Sequence, residues 1–103
     1  MEEVVLITAP SEEVGLKIAR TLVEERLAAC VNLVPGLTSV YRWQGEVVED
    51  KEVLLIAKTT TFAFPRLKER VLALHPYTVP EILALPIAEG HGAYLAWLRE
   101  NTG

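Results

Sequence analysis

Four side chains in this sequence have the types and the neighbourhoods to do chemistry together: Trp43, Lys58, Tyr77 and Glu81. Lys58 follows Val53-Leu54-Leu55-Ile56-Ala57, an apolar run without alternation, which reads as a strand buried on both faces. An ammonium at such a strand end needs a partner, and Glu81, at the start of a later apolar strand, is the candidate. Two readings of the set stay open. One is an ion pair between subunits that fixes register. The other is a pocket between subunits in which Lys58 addresses an anion and Tyr77 and Trp43 form the walls.

The remaining inventory is thin. There are two His, one Cys and a single Asp, Asp50, with no Ser/His/Asp set, Gly-rich phosphate loop, CxxC or HExxH pattern. Such a set supplies little general acid–base or hydrolytic chemistry, so a binding protein rather than an enzyme is expected. Cys30 lies in an apolar stretch, where a thiol behaves as a small hydrophobe. His75 ends a helical pattern, where a cation suits the negative end of the helix dipole, and metal ligation is its other reading. His91, between glycines, is expected to face solvent.

The elements that must position these residues follow from periodicity. Glu3 to Ala9 reads as a strand ended by Pro10, and Ser11 as the N-cap of a helix carrying Val14, Ile18, Ala19, Leu22 and Val23 down to about Arg26. Leu27 to Val34 predicts a second strand, Pro35-Gly36 a turn or kink, and Thr38 to Trp43 more extended chain. Gln44-Gly45-Glu46 predicts a hairpin loop, after which Val47 to Thr60 returns with a possible break at Glu49-Asp50-Lys51. Thr61 is the expected cap of a second helix through Leu67, Val71, Leu72 and Leu74, stopped by His75-Pro76. An edge strand from Ile82 and a short last helix carrying Tyr94, Leu95, Trp97 and Leu98 complete the chain.

The order strand, helix, strand, strand, helix, strand is the split βαβ arrangement, an α+β ferredoxin-like fold with a four-stranded antiparallel sheet and both main helices on one face. The doubly apolar strands then demand a second cover that one chain lacks, apart from the short last helix. Another copy of the chain is the expected cover.

Length and charge bound the rest. At 103 residues this is a single domain, residues 1–103. A formal net charge of −4 argues against nucleic-acid binding, which depends on clustered positive charge. No apolar run is long enough to span a bilayer, and Met1-Glu2-Glu3 is acidic where a secretory signal would be basic, so a cytoplasmic protein is expected. Glu dominates the acidic residues and thermolabile types are scarce, a bias that fits a thermophilic source.

The runs Leu6-Ile7-Thr8-Ala9-Pro10, Arg26-Leu27-Ala28-Ala29-Cys30-Val31-Asn32, Tyr41-Arg42-Trp43-Gln44-Gly45, Lys58-Thr59-Thr60, His75-Pro76-Tyr77-Thr78-Val79-Pro80-Glu81-Ile82 and Tyr94-Leu95-Ala96-Trp97-Leu98 together resemble the CutA family of divalent-cation tolerance proteins. The resemblance covers essentially the whole chain, in order. It implies the ferredoxin-like fold, a homotrimer of PII-like architecture with ribbons exchanged between subunits, and a role in tolerance of copper and other heavy metals. The partners so implied are divalent metal ions and copies of the same chain.

It also implies a copper site, which in some bacterial members resembles a Cys just before Thr-Ala-Pro together with two adjacent His before Pro-Tyr. The corresponding positions here hold Ile7, Leu74 and His75, which leaves His75 as the metal candidate. A useful copper site needs several N or S ligands in a fixed geometry. The alternative expectation is a PII-like regulatory or scaffold trimer that binds a small anionic ligand or a protein partner in clefts between subunits.

Overall fold

In the computed structural model, which describes residues 1–103, alternation within the apolar runs sorts their side chains between two sheet faces. The first strand, β1 (Glu2–Ala9), buries Val5, Ile7 and Ala9 on one face and leaves Val4 and Leu6 half-buried on the other. Ser11 then starts α1 (Glu12–Glu24), its Oγ accepting from the Val14 N–H at 3.2 Å, with Glu12 and Glu13 at the positive end of the dipole.

β2 (Cys30–Trp43) begins three residues later than the apolar run suggested. Arg26 adopts a left-handed φ of 60°, and the turn after α1 lets Leu27 and Ala28 dip into the core before any strand pairing starts. The Leu27 carbonyl accepts from the buried Thr59 Oγ1 at 2.6 Å, which holds this turn against β3 (Glu46–Thr60). Pro35-Gly36 does not end β2. Register moves from Val34 opposite Leu54 to Leu37 opposite Glu52, so that Pro35 and Gly36 face Val53 alone in a bulge, with Gly36 at a φ of 78°. Nor does Glu49-Asp50-Lys51 break β3, because each of the three stays paired, with Val40, Ser39 and Thr38. Gln44 and Gly45, at φ 49° and 83°, form the two-residue turn whose twist matches the flanking strands.

Thr61 does not cap α2 (Phe64–Leu74). Its hydroxyl donates to the Met1 carbonyl, Thr60 Oγ1 accepts from the Ala63 N–H at 3.2 Å, and Pro65 sits in the first turn, where its missing N–H costs nothing. β4 (Ile82–Pro86) pairs with β1 alone and forms one edge. The final helix is α3 (Gly92–Glu100).

The strands lie in the order β2-β3-β1-β4, every neighbour antiparallel, which is the expected ferredoxin-like sheet. The core joins Val5, Ile7, Leu55 and Ala57 of the sheet to Ile18 and Leu22 of α1 and Leu67 and Val71 of α2. Register places Val4, Leu6, Thr8, Asn32, Val34, Leu54, Ile56, Lys58, Leu83 and Leu85 together on the opposite face. There α3 packs on β1 and β3, burying Leu98. Leu83, Leu85 and Val34 of that face remain 55%, 46% and 43% exposed. No helix is long and apolar enough to cross a membrane.

Candidate functional site

The long ribbon of β2 and β3 and the loop from Pro76 to Glu81 enclose a cleft of about 660 Å³. Register aims Ser39, Tyr41 and Trp43 to the same side as Thr8 and Glu52, because the strand alternation is continuous beyond the bulge. The bulge therefore matters to the site: one residue fewer between Val34 and Leu37 would turn Tyr41 and Trp43 to the other face.

Glu52 anchors this cleft. It is only 7% exposed, and its Oε2 accepts from the Tyr77 hydroxyl at 2.8 Å. Further out, the Tyr41 hydroxyl donates to Asp50 Oδ2. Tyr77 is set by its own neighbour: the His75 and Tyr77 rings pack at a tilt of 52° with centroids 4.7 Å apart, and the Tyr77 N–H donates to His75 Nδ1 at 3.1 Å. The other ring nitrogen, Nε2, donates to the Thr8 carbonyl at 2.7 Å, which assigns a neutral imidazole with its proton on Nε2.

Burial pushes the Tyr77 hydroxyl well above its ordinary value of 10.0, and the hydrogen bond to Glu52 and the charges of Glu52 and Asp50 push it the same way. The Tyr41 hydroxyl is also raised, first by its bond to Asp50, and Tyr94 first by burial. A folded-state value above the unfolded one means that the folded chain holds these protons more tightly. The resulting stabilisation is complete below the unfolded value of 10.0 and is lost as pH climbs above it. Melting temperature should therefore fall as pH is raised beyond about 10, with a shallower fall in Tyr77→Phe. Identical alkaline slopes for the two chains in a series of thermal melts would show that Tyr77 is not held in this way.

Of the four residues singled out in the sequence, the fold brings Trp43, Tyr77 and Glu81 to the cleft and leaves Lys58 out. Lys58 shares the sheet face with Glu52 but lies six residues farther along β3, about 20 Å at strand rise. Its ammonium donates to Asn32 Oδ1 and lies 3.9 Å from Cys30 Sγ, and within one chain it makes no ion pair with Glu81. Strand direction explains the separation within one chain: β4 starts beside Ile7, which lies opposite Leu55, and runs from there toward the row of Lys58, so Glu81, just before β4, lies on the side away from it. Glu52 and Tyr41 take the places that sequence reasoning missed. Glu52 was legible only as the residue before the apolar run, with nothing to mark its carboxylate as buried.

His75 does not offer itself as a metal ligand. It is 7% exposed with both ring nitrogens engaged inside the chain, while Ile7 and Leu74 bring no donor atoms. No three His, Cys, Asp or Glu side chains converge anywhere in the chain. The residues of one chain therefore do not fit a copper ion. His91 precedes α3 at an exposed position, as expected, and Tyr94 packs on Trp97 with ring centroids 5.4 Å apart.

Comparison with known proteins places this geometry. Residues 3–101 match the family model described as CutA1 divalent ion tolerance protein. The chain is 81% identical, over the whole of both sequences, to the divalent-cation tolerance protein CutA of Thermus thermophilus. It is 49% identical to human protein CutA over 93% of its own length, and spans 54% of that longer protein. Among solved structures, the Cut A1 protein of Thermus thermophilus superposes with a TM-score of 0.98 at 80% identity, with both chains fully covered. The CutA1 of Oryza sativa does so at 0.96 and 48%, covering 99% of this chain and 94% of that one. A ferredoxin-like sheet with a long hairpin, matched in sequence along almost its whole length, makes this chain a member of the CutA1 divalent ion tolerance family.

Proposed function

We propose that the chain works as a homotrimer in divalent-metal tolerance in the cytoplasm, binding metal, with copper as the first ion to test. Family membership supports the metal. One structural observation supports the assembly: the sheet face opposite α1 and α2 carries exposed Leu83, Leu85 and Val34 beside half-buried Leu6, Leu54 and Ile56. Such a contiguous apolar surface is rare on a monomer. The projecting ribbon, with Val40 and Val47 exposed along a molecule 44 Å in its longest dimension, calls for the same cover. Because one chain's donors do not fit copper, this reading needs donors contributed by more than one copy. The role is binding, not catalysis.

Two measurements test the proposal. Sedimentation should give a species of about three times the 11.4 kDa chain; a stable species of one chain's mass at micromolar concentration would remove the trimer. Copper titration by calorimetry should show saturable binding that is unaltered in His75→Ala. That substitution removes one buried and one partly buried hydrogen bond and should lower stability by about 1–3 kcal/mol without touching affinity for the ion. Absence of saturable binding would remove copper while leaving the family assignment intact.

The alternative, a regulatory or scaffold trimer with a ligand-binding cleft, is favoured by one observation, the cleft between the ribbon and the Pro76–Glu81 loop. Within one chain Lys58 lies outside this cleft, so an anionic ligand would need Lys58 from a second copy.

A further inference from the structure

We propose that this cleft binds a small organic cation, a primary ammonium or guanidinium group carried on an apolar body. It deepens the cleft-binding reading in its ligand class, and rests neither on copper nor on the number of subunits. The walls set the sign of the charge: they include Glu52 and Glu81, and no Lys, Arg or His.

Glu52 carries the inference furthest. It is more than nine-tenths buried, its Oε2 is met by the Tyr77 hydroxyl, its Oε1 has no hydrogen-bond donor in the chain and retains access to solvent, and no cation pairs with it. The chain's ion pairs are Arg70 with Glu25 and Arg99 with Glu2, both away from the cleft. A buried carboxylate without a counter-charge is costly, and a cation entering beside it relieves that cost.

Tyr41, Trp43 and Tyr77 supply aromatic walls, and aromatic faces attract ammonium and guanidinium groups. Val79 adds apolar surface on which the body of such a molecule would rest. A volume of about 660 Å³ lies within the usual range of small-molecule sites and far exceeds what a bare ion or one side chain fills. No three metal-ligating side chains gather there, and an anion would meet Glu52 and Glu81.

The probes are phenethylammonium, phenethyl alcohol and phenylacetate, which share a ring and differ in charge. Each is titrated into the 103-residue chain carrying Trp97→Phe, so that Trp43 alone reports by fluorescence, and by calorimetry into the unsubstituted chain. The ammonium should bind saturably, about tenfold or more tighter than the alcohol, and the carboxylate should not bind. Glu52→Gln should weaken the ammonium by about tenfold or more, with circular dichroism unchanged. If Glu52→Gln fails to fold, Glu81→Gln serves for the same comparison, with a smaller loss. Equal affinity for phenylacetate, equal affinity in the substituted chain, or no saturable binding of the ammonium would each overturn the proposal. No binding together with dissociation of the Glu52→Gln assembly would overturn it in favour of a basic side chain from a second copy as the cleft's occupant.

Discussion

Leu55→Ala should lower the stability of the folded chain by about 3 kcal/mol or more, the largest effect of any single truncation in the core. Leu55 is fully buried at the centre of the helix-covered face, in one cluster with Ile18 and Leu22 of α1 and Leu67 of α2. The site cannot collapse to fill the hole, because β3 is paired on both sides there, Leu55 lying opposite Ile7 on β1 and Leu33 on β2. The transfer cost of the lost methyl groups and the cost of the remaining cavity therefore add. For a domain of this size the melting temperature should fall by about 10 °C or more in calorimetry. A fall of only a degree or two would mean that α1 and α2 do not pack on β3 as described.

Leu83→Glu should leave the fold intact and break the assembly. Leu83 stands on the edge strand β4 at 55% exposure, so in a lone chain the change is a surface substitution, worth at most about 0.5 kcal/mol either way. Inside an interface formed by the open sheet face, the same carboxylate would be buried without a cation, and the free-energy cost shifts dissociation by orders of magnitude. Sedimentation of the substituted chain should show a folded species of one chain's mass at concentrations where the unsubstituted chain stays associated. Unchanged sedimentation would take β4 out of the interface. Together the two substitutions separate the faces of the sheet: one is closed by the chain's own helices, and the other is the face that the proposed assembly would cover.

Strand and helix order, the Ser11 cap, the hairpin at Gln44-Gly45 and the edge position of β4 were all legible, because each rests on local periodicity or on a backbone preference carried by one or two residues. The family resemblance was legible for a different reason, since it rests on the order of short motifs along the chain. Other features were not. Nothing local marks Gly15, yet a Cβ there would stand 3.0 Å from Val53 Cγ2 and 3.1 Å from Leu33 Cδ1, so it lets α1 approach the sheet closely. Pro35-Gly36 signalled irregularity without saying whether the strand ended or bulged, because both outcomes satisfy the same local angles.

The amino-acid order by itself determined the four-stranded fold, the two helices on one face and the surplus of apolar sheet surface, because each follows from side-chain period and turn chemistry within a few residues. Only tertiary structure decided which charged groups meet. Within one chain, antiparallel register and strand rise set Lys58 about 20 Å along β3 from Glu52, next to Asn32, and place Glu52 in the cleft. Burial of a carboxylate, and occupation of both His75 nitrogens, depend on what the loop after α2 lies against. Those contacts join residues far apart in the chain, and no local pattern encodes them.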